Sequence, residues 1–449
     1  MTLASNHRPL QIGLILAVSL HAFDEMVITI ALPTIVRELG GGDLYGVSLA
    51  SYILASLISV VWAGKSIDRR GPVRIFLIGY GLFALGLVMA TVASSMGEFI
   101  LARAVQGLGG GITWTVAYAV TNIVIPSDQR PKMIAWLDSA WLIPSLLAPS
   151  VGGYVIDYLD WHWIFVGQLP FVVLATFLLY PHLTPLTRRS DVSSESSHQA
   201  IFQALRIAIG AGILVTVLAQ PLDWTWLIYI PLALVIIVPP FAAVMPAGFF
   251  NARAGLPAAV VLHFLIFFAF YAAEMFTPRM LIELRGASSS VTGLAFTCCA
   301  LAWIGASFLQ AWLSSRIGVR QSLLWGMIIT FTGLVLTATP LLPDTPYWFV
   351  FIAWAVAGVG MGMAYNTVVS ATMDFTAEGK EGATSTANGI ASALSVGLAA
   401  GIGGAITNHS EFSGGSLDEA LAVIWVMAGV ACLLGTAIVL ARFKSRKTS

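Results

Sequence analysis

The 449 residues are 58% hydrophobic and 10% charged, against about 45–50% and 25% in soluble domains, which excludes a soluble globular chain. Lys and Arg balance Asp and Glu at 22 each, and the only basic tract is the tail "RFKSRKTS", so no nucleic-acid partner is expected. Cys298, Cys299 and Cys432 all fall inside apolar runs, where a disulfide framework has no role and packing is the expected one.

Apolar segments matching the roughly 20 residues that a bilayer requires recur almost end to end. The first, 10–38, lacks a short apolar region followed by a small-residue cleavage site and reads as a retained helix rather than a signal peptide. Spans at 45–64, 73–95, 98–122, 132–157 and 162–181 complete six. The polar stretch "TPLTRRSDVSSESSHQ" then has the composition of a flexible connector, 183–202. Eight more spans follow at 203–220, 225–245, 256–282, 289–312, 321–341, 347–373, 382–407 and 419–441, fourteen in all, with no soluble domain attached. An even number puts both termini on one side of the membrane. With that side cytoplasmic, only Arg37, Arg103, Arg279 and Arg285 of the 22 basic residues fall in outer loops or outer halves of helices, as the positive-inside rule requires. Trp161, Trp163, Trp224, Trp226 and Trp348 then sit at outer helix ends, where interfacial aromatics collect.

The chain repeats itself. "QGLGGG" at 106–111 is echoed by "AGVGMG" at 357–362, 251 residues on; Gly152-Gly153 is echoed by Gly403-Gly404 at the same offset. "DRRG" at 68–71 is echoed by "SRIG" at 315–318, 247 residues on. Two similar halves around a central site are a common transporter plan. Six spans need an offset nearer 200, so 203–250 reads as an inserted helix pair.

Ionisable residues inside the spans are few: Asp24 and Glu25 in the first, Arg103 in the fourth, Asp138 in the fifth and Glu274 in the first span after the inserted pair. Each costs about 2.5–3.5 kcal/mol at the bilayer centre on insertion scales, which marks them as candidates for proton coupling. Neighbours on a helix point about 100° apart, so Asp24 and Glu25 cannot face one wall. Only one of the two is expected to face the cavity, which Arg103 is expected to line. His21 lies three and four residues before the two acids, within contact distance of either. Trp114, Tyr118, Trp141, Trp303 and Tyr365 are candidate cavity aromatics, suited to flat lipophilic cations. The glycines of the fourth and tenth original spans allow close helix approach, while Pro144, Pro149, Gly152 and Gly153 permit a kink or a rocking hinge in the fifth.

"GKSIDRRGPVR" from Gly64 to Arg74 resembles the loop signature of the major facilitator superfamily. "RAVQGLGGG" from Arg103 resembles its helix 4 motif, and "APSVGGYVIDYLDWHWIF" from Ala148 its helix 5 antiporter motif. "FDEMVITIALPTIVREL" from Phe23 resembles the helix 1 motif of the fourteen-spanner drug:proton antiporters, with Asp24 at the position of that family's acid and Glu25 additional, which implies Asp24 as the cavity-facing proton site. Ala148 and Pro144 stand where the helix 5 pattern usually has glycines, and His162 where Arg is frequent. The resemblance implies an all-α integral membrane protein with two six-helix bundles, 1–182 and 251–449, separated by the connector and an inserted pair. It also implies a conformational latch built from Gly64, Asp68, Arg69, Gly71 and Arg74, in which the two glycines allow tight turning and Asp68 docks near another helix's N-terminus. Ser315 at the echoed position removes the carboxylate from the second half.

The implied activity is proton-coupled export of small hydrophobic or cationic compounds by a monomer in a bacterial inner membrane. Its partners are the small-molecule substrate, protons and the lipid bilayer; it has no cofactor or metal beyond the proton as coupling ion. An exporter of an endogenous lipid or metabolite, or a proton-coupled uptake symporter, would share these features. An enzyme would need a metal spacing, nucleophile elbow or phosphate loop that the sequence does not carry, and a receptor would need an output domain.

Overall fold

The structure, a computed structural model, describes residues 8–125, 133, 136–137, 140–184, 195–221, 223–377 and 381–443. Every long element among them is a helix, because a backbone in hydrocarbon must satisfy its hydrogen bonds within its own segment. In chain order these are α1 Arg8–Leu39, α2 Tyr45–Arg70, α3 Pro72–Thr91, α4 Met96–Val124 and α5 Leu142–Tyr158, then α6 His162–Leu183. They are followed by α7 Glu195–Leu218, α8 Trp226–Val244 and α9 Leu256–Pro278, which runs into a π-helical turn, Arg279–Leu284. A helical run Ser289–Thr337 is broken at Gly318 into α10 (289–317) and α11 (319–337). α12 Phe349–Asp374, α13 Glu381–Phe412 and α14 Leu417–Arg442 close the chain.

Twelve of these helical stretches are long and apolar enough to cross a membrane. α4 and α5 are not among them: glycines and polar side chains dilute α4, and α5 has only 17 described residues, short of the roughly 20 a bilayer needs. Asp138 and residues 185–194 of the connector lie outside the described residues, and residues 195–202, expected as connector, belong to α7.

The internal repeat has a structural counterpart. Gly71 ends α2 with φ 77° and ψ 159°, and Gly318 separates α10 from α11 with φ 72° and ψ 162°. Both positions need a positive φ that glycine alone adopts freely. Glycines in α4 and α12 also play matching parts. A methyl group on Gly107 would lie 2.2 Å from the Tyr52 carbonyl oxygen of α2, and one on Gly358 the same distance from the Cys299 carbonyl of α10. Gly64 does not turn the chain as expected: α2 continues through it to Arg70, and the turn falls at Gly71 alone. Arg74 is exposed near the start of α3, and the side chains of Asp68 and Arg69 are outside the described part.

The halves meet through α5 on α10 and α2 on α13. α7 of the inserted pair packs on both α2 and α13, across the seam, while α8 packs chiefly on α7.

One end of the seam is sealed. A methyl group on Gly46 would lie 2.4 Å from the Ala400 carbonyl, and one on Gly153 would lie 2.6 Å from the Ser289 carbonyl. Arg279, at the end of α9, pairs with Glu411 of α13 and with Glu283 at 3.0 Å. Its guanidinium lies 5.6 Å from the Tyr45 ring centroid. Asp157 at the end of α5 accepts from the backbone N–H groups of Ser289 at 3.0 Å and Ser290 at 2.8 Å, placing an anion at the positive N-terminus of α10. Trp161 is at this end too, but it is not an interfacial anchor: it is buried and donates to Glu38 at 2.7 Å. Trp163, Trp224 and Trp348 are exposed, and Trp226 is half-buried.

Candidate functional site

Away from that seal, the halves part around a cavity of about 580 Å³. α2 lines it from Tyr52 to Gly64 and α13 from Ser385 to Val396, so it occupies the part of the molecule toward the turn at Gly71. α1 contributes His21 and Glu25, α4 Gly111 and Trp114, α5 the adjoining Trp141, and α9 Phe267 and Tyr271. The wall from the first half is aromatic and carries the one lining carboxylate among the described residues. The α13 wall carries hydroxyls: Ser385, Thr386 and Ser392.

Asp24 and Glu25 part company here. Asp24 is fully buried beside the cavity. Its Oδ2 accepts from Arg103 Nη1 at 2.7 Å, and its Oδ1 accepts from Gln106 Nε2 at 2.6 Å and from Gln168 Nε2 at 3.3 Å. Arg103 also donates to Gln106 Oε1 at 2.7 Å, and its guanidinium lies 4.4 Å from the Tyr52 ring centroid. A buried charge needs this density of partners. The expected facing of Asp24 and Arg103 is therefore corrected: neither lines the cavity, and Glu25 does. The reason is the helical offset of about 100°; with Asp24 turned onto α4 and α6, its neighbour is turned to the opening.

Glu25 Oε2 lies 3.8 Å from His21 Nε2, one helical turn back. On its other side, His21 Nδ1 is 2.6 Å from Tyr52 Oη, and the imidazole sits about 5.9 Å from the rings of Trp114 and Trp141. His21 thus lies between the cavity acid and the residue that covers Arg103. From the second half, Glu274 on α9 lies within electrostatic range of Glu25, three residues beyond the cavity-lining Tyr271.

Of the expected cavity aromatics, Trp114 and Trp141 line the space. Tyr118, Trp303 and Tyr365 do not: Tyr118 packs tilted against Trp114 at 4.7 Å, and Tyr365 packs against both Phe267 at 5.4 Å and Trp303 at 5.8 Å. They form a second layer behind the lining rings. In α5, Pro149 and its neighbours serve the inter-half contact, since a methyl group on Gly293 of α10 would meet the Pro149 carbonyl at 1.9 Å. A Cβ on Gly152 would meet Val27 of α1 at 2.2 Å, and Pro144 lies in the first turn of α5. Sequence reasoning did not single out Gln106, Gln168 or Tyr52. Gln106 had a visible signal, one turn after Arg103 in "RAVQ", whereas Tyr52 and Gln168 sit in apolar runs with none.

The Major Facilitator Superfamily model matches residues 14–398 and 259–449. Multidrug resistance protein 3 of Bacillus subtilis is 25% identical over 382 residues, covering 81% of this chain and 72% of that protein. Multidrug transporter protein MdtP of the same organism is 26% identical over 366 residues, covering 78% of this chain and 66%, just under two thirds, of its own length. Among solved structures, the inward-open xylose transporter XylE from E. coli superposes with a TM-score of 0.68 at 13% identity, covering 98% of this chain and 97% of that one. A POT family transporter in complex with 5-aminolevulinic acid gives 0.71 at 12% identity, covering 97% and 96%. At such identities the structures share the fold alone. With the helical repeat and the cavity between its halves, this chain belongs to the Major Facilitator Superfamily, a family of transporters and not of enzymes.

Proposed function

We propose that the protein is a proton-coupled exporter of small hydrophobic or cationic compounds that works by alternating access. The observation that carries this reading is the placement of Glu25 in an aromatic cavity between the halves, beside a fully buried Asp24–Arg103 pair. A cation entering beside Trp114 and Trp141 gains about 0.5–2 kcal/mol from ring faces and competes with a proton for Glu25. The sealed seam at the opposite end leaves the cavity one approach, as alternating access requires of each state. Relatives named as multidrug proteins support a broad substrate range. The test is accumulation of ethidium, an aromatic cation, in cells with and without the protein. Carriers should hold several-fold less, and a protonophore should erase the difference; equal accumulation would refute the reading. The hydroxyls of α13 favour one second reading, export of a polar metabolite, and accumulation measured across a metabolite panel separates the two.

The fourteen helices among the described residues, twelve of them long and apolar enough to span, support fourteen spans in the plasma membrane, with bundles over 1–182 and 251–449, the inserted pair over 203–250, and both termini and the 183–202 connector cytoplasmic. The distribution of Lys and Arg supports that orientation, in which the present state faces inward. Ser410→Cys should then be labelled from outside by an impermeant thiol reagent and Ser194→Cys protected. The reverse pattern would overturn the topology.

A further inference from the structure

Three groups lie in a line between the cavity and the buried ion pair. Glu25 Oε2 faces His21 Nε2 at 3.8 Å, His21 Nδ1 meets Tyr52 Oη at 2.6 Å, and the Tyr52 ring lies 4.4 Å from the Arg103 guanidinium carbon. Arg103 in turn holds Asp24 at 2.7 Å. Helix α4 makes room for the middle contact: a methyl group on Gly110 would lie 2.4 Å from Tyr52 Oη and 2.9 Å from His21 Nδ1. One glycine of the "GLGGG" run thus has a local reason beyond helix packing.

A neutral imidazole has one N–H, and the partner of one ring nitrogen decides where it sits. Tyr52 is a phenol, buried and facing an arginine, so its O–H is the available donor. We propose that Tyr52 is a positioning residue for proton exchange at Glu25: its hydroxyl donates to His21 Nδ1, fixes the N–H on Nε2 toward Glu25, and its ring ties that carboxyl to the Asp24–Arg103 pair. This rests on Glu25 being the exchanging acid of the proposed transport cycle. The step is a plain proton transfer. Glu25 gains or gives one proton, the imidazole keeps its Nε2–H in both states, and the tyrosine loses nothing. Loading a proton on Glu25 removes the charge that Nε2–H faces, and the change is felt at Arg103 through the one ring that touches both sides.

The titratable and charged groups facing His21 and Glu25 are Asp24 on their own helix, Tyr52 on α2, Arg103 on α4, and Glu274 and Tyr271 on α9. Among these, Tyr52 alone both hydrogen-bonds His21 and covers Arg103.

The test is ¹⁵N NMR of histidine-labelled full-length protein, with His21 assigned by loss of its signal in His21→Gln. The wild type should show the Nε2–H tautomer, and Tyr52→Phe, which keeps the ring over Arg103, should show a mixture. Efflux of ethidium under a fixed pH gradient should fall about tenfold in Tyr52→Phe, the scale of one buried hydrogen bond. An Nδ1–H tautomer in the wild type, or an unchanged spectrum in Tyr52→Phe, overturns the assignment. Wild-type protein that moves no ethidium refutes the transport reading instead, and the nitrogen spectrum still decides the role of Tyr52.

Discussion

Arg103→Ala should destabilise the purified protein by roughly 3–5 kcal/mol, the cost of removing one partner of a buried ion pair. Asp24 would be left with no exposed surface and no opposing charge. Two glutamine amides would remain on its Oδ1, and amides do not neutralise a carboxylate. Asp24→Asn strands the arginine in the same way, although its face against Tyr52 softens the loss. The double variant Asp24→Asn with Arg103→Gln should recover a large part of the deficit, because no net charge is then left buried. Thermal unfolding in detergent checks this. A double variant no more stable than the sum of the single losses would mean that the two residues act independently. Arg103→Ala within about 1 kcal/mol of wild type would place the arginine among screened surface-type pairs.

Much of the fold was legible because a bilayer imposes length and composition on every helix it holds. The helical spans came from runs of apolar residues, and the repeat from glycines recurring at fixed offsets. The glycines were readable for a physical reason: Gly71 and Gly318 share one backbone conformation, and Gly107 and Gly358 meet a neighbouring carbonyl at the same distance. Helix phase was harder to read. That Asp24 and Glu25 face different walls followed from the 100° step, but which one faced the cavity depended on Gln106 and Gln168, which arrive from α4 and α6. Nothing local to helix 1 encodes that. The aromatics failed for a related reason: Tyr118, Trp303 and Tyr365 have the same side-chain type as Trp114 and Trp141 but lie one layer deeper. Composition identifies an aromatic-rich interior without identifying its surface. Asp157 escaped attention because its role exists only when α5 and the start of α10, 132 and 133 residues away, are brought together.

Glu25→Gln should fold normally and lose proton-driven transport. The change preserves shape at a site that touches open space and His21 at 3.8 Å, so no buried partner is stranded. Stability should move by less than about 1 kcal/mol, because the amide keeps the shape and leaves no buried charge unpaired, in contrast to Arg103→Ala. Ethidium binding should weaken by the loss of one facing charge and remain measurable, because the rings of Trp114 and Trp141 stay in place. Coupling is a different matter: an amide does not exchange a proton at any working pH, so substrate movement and proton movement should separate.

Transport by purified protein in sealed proteoliposomes addresses the central claim most directly. With an acidic lumen imposed and ethidium at equal concentration on both sides, wild-type protein should drive ethidium inward against its own gradient as protons leave. A protonophore should abolish the accumulation, and Glu25→Gln should equilibrate ethidium without concentrating it. Accumulation by Glu25→Gln equal to wild type, or ethidium leaving the acidic lumen together with protons, would contradict the account.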